Sequence, residues 1–281
     1  MGELREAVTD HDLERFARIR LAVSPRSTPS PPMREPDRLI LLHDDDGCGL
    51  AARSSLADSV TVQVYVRPEA QGAGIGTAIA QRLLEHARGM GRPSLFATVD
   101  GAQPHGIAFA QGHGLVEVGR EVESRRTIGE EPWPDPLPGI DVVTVAQRPE
   151  LLEAAWYAIG QDGYEDIPAP SEIAMTLELW LEEEAAVPEG SFVALEDGRV
   201  VAYAGMLEEE HGLTTVARSH RGRGLATHLK RCQLAWAASS GVPELVSYTQ
   251  GINDPMRAVN DKLGYAVEDP WLKMKGPVPP A

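Results

Sequence analysis

Two short segments of this chain carry residue types suited to holding a phosphate. Gln71-Gly72-Ala73-Gly74-Ile75-Gly76 and Arg221-Gly222-Arg223-Gly224-Leu225-Ala226 share one pattern: Arg or Gln, two residues, Gly, one residue, then Gly or Ala. Residues without bulky side chains let backbone N–H groups come close to an anion, and a helix that starts there turns its positive end toward it. Such a loop suits a pyrophosphate. Neither copy has the Lys and Ser or Thr that a Walker loop requires after its last glycine, and Thr77 and Thr227 stand where a dinucleotide fingerprint needs a third glycine. The second loop is the more basic, with Arg218, Arg221 and Arg223 and, a helical turn or two on, Lys230 and Arg231, against Arg67 beside the first. Guanidinium groups make paired bonds to phosphate oxygens, so the stronger anion site is expected in the second half.

The elements that must position these loops recur as well. A shift of 150 residues places Val66 on Val216, Gly72 on Gly222, Gly74 on Gly224, Thr77 on Thr227, Leu84 on Leu234, Gly91 on Gly241, Ala108 on Ala258 and Gly114 on Gly264. Register of this kind marks a duplication. The first half reads as a β-branched strand at Ser59–Val66, the loop, a helix with Ile79, Leu83, Leu84 and Ala87 at helical spacing, a strand at 95–99 and a short helix at 107–115. The second half repeats the order, with a strand to Val216, a helix through Ala238, a strand at 245–249 and a helix at 255–263. Upstream, Asp46-Gly47 and Asp197-Gly198 lie between apolar runs and predict tight hairpins. The fold class is therefore mixed α/β, with two tandem domains, each a central mixed sheet flanked by helices.

Four prolines in 129–139 forbid helix and central strand, so this segment is read as a linker between an N-terminal domain at 1–128 and a C-terminal domain at 140–281. The net charge of -16 argues against nucleic acid or an anionic membrane as a partner and suits an amine-bearing one. The first residues are charged and lack the apolar run of a signal peptide or membrane span, which predicts a cytoplasmic protein. Cys48 and Cys232 have no Cys or His partner at metal-ligand spacing, and no metal is expected.

The glycine loop and its flanks, residues 64–84 above all, resemble the GNAT N-acetyltransferase superfamily, and tandem two-domain members of that superfamily are similar in layout. The resemblance implies acetyl-CoA as donor. It assigns donor contacts to Thr215, Val216, Arg218, Arg221, Gly222, Arg223, Gly224, Leu225, Ala226, Thr227, Asn253 and Asn260, and in the first copy to Tyr65, Val66, Gln71, Gly72, Ala73, Gly74, Ile75, Gly76 and Thr77. It also implies direct attack of an amine on the thioester, a base to take the proton, and a Tyr to protonate the thiolate. That Tyr, expected seven residues after an Asn, is missing: Asn253 is followed by Asn260, and Gln103 by Ala110. An amide can at most donate a hydrogen bond, and Ala110 can do neither.

Candidate bases are Glu208, Glu209, Glu210 and His211, in the turn leading into the coenzyme strand. Tyr248 lies near where the central strands of such folds part and is the substitute acid. Trp156, Tyr157, Asp162, Tyr164 and Asp166 fall where such folds close over an acceptor, and the Pro-rich stretch 24–36 in the first half is read as a surface loop bordering the acceptor cleft. His105 and His113 read as turn residues. The expectation is transfer of an acetyl group to a small-molecule amine in the C-terminal domain, with the N-terminal domain binding coenzyme weakly or serving as structure. The alternatives are a non-catalytic acyl-CoA-binding or sensing protein, and an acyltransferase with another acyl-CoA or a hydroxyl acceptor.

Overall fold

The computed structural model describes residues 2–27, 29–54, 57–168 and 174–280. From the N-terminus the elements are β1 (Leu4–Glu6), α1 (Asp10–Val23), β2 (Leu39–His43), β3 (Gly47–Arg53), β4 (Ser59–Val66), α2 (Ile75–Gly89), β5 (Ser94–Asp100), α3 (Pro104–Gly112) and β6 (Val116–Thr127). They continue with β7 (Asp141–Thr144), α4 (Glu150–Ala155), a π turn (Trp156–Gly160), α5 (Gln161–Glu165), α6 (Leu177–Glu183), β8 (Phe192–Glu196), β9 (Arg199–Leu207) and β10 (Glu210–Val216). The last are α7 (Leu225–Ser240), β11 (Glu244–Gln250), α8 (Asp254–Lys262), β12 (Ala266–Val267) and β13 (Trp271–Pro277). No helix among the described residues is long and apolar enough to cross a membrane.

Both glycine loops end in an amphipathic helix, and spacing explains why. In α2 the buried Ile75, Ile79, Leu83 and Ala87 recur every four residues and pack on β2 to β5. In α7 the same positions are Leu225, Leu229, Gln233 and Ala237, all buried, so one polar side chain lies within the apolar stripe. Helix α1 starts with a reciprocal cap between Thr9 and Asp12, whose carboxylate also takes a bond from Arg5. The Asp197-Gly198 hairpin forms as expected: both residues have positive φ (51° and 75°) and Glu196 pairs with Arg199. The first hairpin turns one step earlier, at 44–46, and Gly47 already belongs to β3.

The chain divides into two compact units, one running to Val118 and resuming at Trp271, the other Gly119–Pro270. In the first, the sheet order is β1-β2-β3-β4-β5-β13. Among the described residues only β4 and β5 are parallel, and α1 and α2 cover opposite faces. In the second, the order is β7-β8-β9-β10-β11-β6, again with one parallel pair, β10 and β11. Helices α4 and α6 with the π turn cover one face, and α7 the other.

Each sheet is thus completed by a strand distant in sequence from the strand it pairs with. β13 pairs with β5 over Trp271–Pro277, and β6 pairs with β11 over residues 121–127. The compact units therefore differ from continuous domains at 1–128 and 140–281. Residues 129–139 have neither helix nor strand and lie on the second unit, where Trp133 meets the edge of Phe192 at 6.1 Å. The proline pattern marks the irregular segment but not the strands that change sheets.

Candidate active site

The two glycine loops have the same backbone. Gly72 and Gly74 have φ of 80° and 84°, Gly222 and Gly224 of 78° and 83°, a region that L side chains enter only at a cost. A Cβ at any of the four would meet no heavy atom within 4 Å among the described residues, so the loops face open space. Gly74 and Gly224 are the N-caps of α2 and α7, and no described side chain caps either helix. The first-turn N–H groups are left for an anion, as a pyrophosphate requires. The residue opening each loop ties it to the preceding strand: Gln71 Nε2 donates to Val66 O, and Arg221 Nε to Val216 O, both at 3.2 Å.

The arginines expected to bind phosphate are already engaged. Arg218 bridges to Asp162 at 3.6 Å and Asp166 at 3.0 Å, Arg221 bonds Asp166, and Arg223 bonds Glu196 at 2.7 Å. The Arg221 and Arg218 guanidiniums hold Asp166 below the usual carboxylate range, and Arg223 and His220 hold Glu196 down to about 2. Asp162 and Asp166, expected in the acceptor cleft, thus pair with the expected phosphate ligands.

Beyond the loops the parallel strands part. β4 and β5 pair from Ser59/Ser94 to Thr61/Phe96 and no further, while β10 and β11 pair at Glu210/Val246 alone among the described residues. A β-bulge between His211 and Thr214 adds one residue to β10. It shifts the repeat, so Glu210 occupies the place of Thr61, the last paired residue before the strands separate. In the first unit the gap opens into a cavity of about 500 Å³, lined by the loop, by Val62 to Val66, by Ala97 to Asp100 and by α3. In the second unit Thr214 Oγ1 and Thr249 Oγ1 are buried without a hydrogen-bond partner among the described residues. The matching positions, Val64 and Val99, line the first unit's cavity.

The candidate bases separate by position. Glu208 and Glu209 form the exposed two-residue turn before β10, Glu208 with φ 51°. His211 is buried on the α7 face: its Nδ1 lies 2.8 Å from Gln233 Oε1, and its Nε2 bonds the Tyr265 hydroxyl. Gln233 Nε2 donates to the carbonyls of Ala204 and Gly205, so its oxygen accepts from Nδ1–H. Burial, with Lys230 nearby, holds the imidazole well below its ordinary pKa. Both nitrogens of the buried His211 imidazole are thus engaged, whereas Glu208 faces solvent.

Glu210, on the opposite face, is half-buried. Burial pushes its carboxyl up to about 7, and Glu121 and Glu123 add to the shift. Glu123 is buried and bonded to Arg125 at 2.6 Å. Tyr248 pairs with Glu123 across β11 and β6, and burial beside Glu123 and Glu210 pushes its hydroxyl up to about 12.

The other candidates differ in their surroundings. Asn260 Oδ1 accepts from Lys230 Nζ at 3.0 Å, its Nδ2 donates to Ser247 Oγ at 3.0 Å, and Lys230 also donates to Ser247 at 3.1 Å. All three are buried, and desolvation brings Lys230 down to about 7. Asn253 caps α8 through Met256 N. Trp156 packs on Trp180 in the core, whereas Tyr157 is exposed. Tyr164 donates to Glu184, a buried carboxyl raised to about 7 by desolvation. Thr215 lies against α5, where a Cβ on Gly163 would come within 2.8 Å of its hydroxyl oxygen. Tyr65 meets the edge of Phe16 at 6.3 Å, and Val66 lines the cavity. Sequence reasoning missed Glu121, Glu123 and Glu184, and it counted Lys230 with the basic residues of the loop although its side chain is buried against Ser247 and Asn260; β6 brings the first two from the other half of the repeat.

The sequence matches the acetyltransferase (GNAT) family over residues 32–115 and 153–265. The chain belongs to this family. A mycothiol acetyltransferase of Catenulispora acidiphila is 26% identical over 233 residues, covering 78% of this chain and 73% of the relative. One from Acidothermus cellulolyticus is 26% identical over 253 residues, covering 81% and 76%. Among solved structures, a GCN5-related N-acetyltransferase from Sphaerobacter thermophilus aligns with a TM-score of 0.75 at 18% identity over 99% of this chain and 96% of the other. A tandem GNAT protein from the clavulanic acid biosynthesis pathway aligns at 0.72 and 20% identity over 100% of both chains. The protein is an acetyltransferase of tandem GNAT architecture, and its donor is acetyl-CoA. The open glycine cradles and the orphaned Thr214 and Thr249 hydroxyls fit that donor's pyrophosphate and amide-bearing arm.

Proposed function

We propose that the second unit transfers the acetyl group to the amine of a small molecule, with Glu210 as general base. The observation that carries this reading is a half-buried carboxyl, raised to about 7, at the point where β10 and β11 part. The backbone N–H groups of residues 222–226 and the first turn of α7 hold the pyrophosphate, and Thr214 and Thr249 meet polar atoms of the arm between the strands. Bound acetyl-CoA supplies an electrophilic thioester carbonyl. Glu121, Glu123 and Glu210 favour an ammonium on their face of the sheet, and ionised Glu210 takes a proton from it to leave a nucleophilic amine. Tyr248 keeps its proton across this range and can deliver it to the leaving sulfur. The name of the curated relatives, mycothiol acetyltransferase, supports a small-molecule acceptor.

In the first unit Thr61, which cannot accept a proton near neutral pH, holds the place of Glu210. The first cleft therefore binds donor without this base. The test is the pH–rate profile with an amine acceptor. The wild type should gain rate as pH rises through about 7, where Glu210 ionises. Glu210→Gln should lose that limb and most of its turnover while still binding acetyl-CoA; an unchanged profile and rate would reject the assignment.

A further inference from the structure

The inner end of the first unit's cavity differs in kind from the same place in the second unit. Ala80, Leu83, Ala97, Ala110 and Leu115 line it, all buried or nearly so. The repeat places Lys230, Gln233, Ser247, Asn260 and Tyr265 at these five positions, and there they fill the interior. Lys230 bonds Ser247 and Asn260, and Tyr265 and Gln233 bond His211. Three alanines thus leave room in one unit where a lysine, a serine and an asparagine close it in the other.

This inner end is continuous with the glycine loop. One cavity of about 500 Å³ reaches both Gly72 and Leu115, a volume within the range of about 300–1,000 Å³ usual for ligand pockets. Leu83 lies eight residues beyond Ile75, about 12 Å along α2 from the anion-binding turn. A thioester anchored by its pyrophosphate at the loop and threaded between β4 and β5 would have its acyl group at this apolar end. An apolar inner end of this kind favours hydrocarbon over water.

We infer that the first unit's cleft binds CoA thioesters of longer, saturated acyl chains in preference to acetyl-CoA. This inference rests on the donor reading of the glycine loops but not on catalysis by the second unit. With Thr61 in place of a base, the first unit holds such a thioester without turning it over.

The probe is titration of acetyl-, butyryl- and hexanoyl-CoA into full-length Thr227→Glu, which removes binding at the second loop. Thr227 is the third residue of α7, where a Glu suits the helix dipole but occupies the anion site with its own carboxylate. Affinity should rise with chain length, by up to about fourfold per methylene if each is fully buried. Filling the inner end by Ala80→Leu or, separately, by Ala110→Leu should abolish the gain while free CoA still binds. Hexanoyl-CoA binding no tighter than acetyl-CoA, or a length preference that survives both filled variants, would overturn the inference and leave the donor reading intact. Absence of binding by CoA and by every thioester would overturn both.

Discussion

The first and second units share loop geometry, helix stripe and one parallel strand pair, yet they differ where the strands separate. The first has Thr61 where its strands part, with Val64 and Val99 lining an open cavity whose inner end is apolar; the second has Glu210 where its strands part, with Thr214 and Thr249 beyond it and a hydrogen-bonded polar interior. A duplicated scaffold keeps what the backbone demands and diverges where side chains meet ligand. The glycines persist because positive φ and open space leave few other choices. The strand positions have no such constraint, and one inserted residue in β10 suffices to put a carboxylate where the first unit has a hydroxyl.

The largest expected effect comes from erasing that difference. Glu210→Thr, which gives the second unit the first unit's residue, should lower kcat by about 100- to 10,000-fold. Calorimetric titration should still show acetyl-CoA binding to the second cleft; loss of binding with turnover would mean that Glu210 supports the donor site instead.

Next is the polar interior. Lys230→Ala removes a fully buried side chain and leaves Ser247 and Asn260 only each other, at a cost of about 2–4 kcal/mol in urea unfolding. A variant as stable as the wild type would show that this network contributes little to the second unit.

A third effect is pH-dependent and confined to the second unit. Glu184 is raised to about 7, so the folded state binds its proton more tightly than the unfolded chain does. Its contribution is complete below the ordinary carboxylate range and is lost as pH rises through about 7, amounting to roughly 3 kcal/mol over that span. Unfolding midpoints at pH 5 and pH 8 should differ in this sense, and Glu184→Gln should reduce the difference, leaving the share of Glu210, which is raised to a similar value.

The smallest concerns the arginines of the second loop. Arg223 and Glu196 are both substantially exposed, so Arg223→Ala should leave the urea unfolding midpoint nearly unchanged. Asp166→Asn, which frees Arg218 and Arg221 for phosphate, should tighten acetyl-CoA binding severalfold and make it more salt-dependent. No change in affinity would mean that these arginines serve only to fasten α5 to the loop.

Much of the scaffold was legible in the sequence because it is written locally. The β-branched run of β4, the four-residue stripe of α2 and the glycines that need positive φ each specify their own conformation, and the repeat doubled the signal. What was not legible depends on pairing across the chain. Nothing in the composition of β6 or β13 says which sheet will take it, so the carboxylates of Glu121 and Glu123 could not be placed beside Glu210. The bulge at residues 211–214 has the same effect on a smaller scale, since a fixed offset of 150 sets Glu210 on Val60 rather than on Thr61. The surroundings of the arginines were hidden for a related reason: the acidic side chains that pair with them, Asp162, Asp166 and Glu196, lie far from the loop in sequence.

In the proposed division of labour both clefts bind donor and only the second performs chemistry. Thr77→Glu and Thr227→Glu place a carboxylate at the same helical position in each loop, and both should be measured for acetyl-CoA stoichiometry and for thiol release with an amine acceptor. Each variant should lose one of two binding sites, and only Thr227→Glu should lose turnover. Turnover that survives Thr227→Glu but disappears with Thr77→Glu would place the chemistry in the first unit and contradict the account.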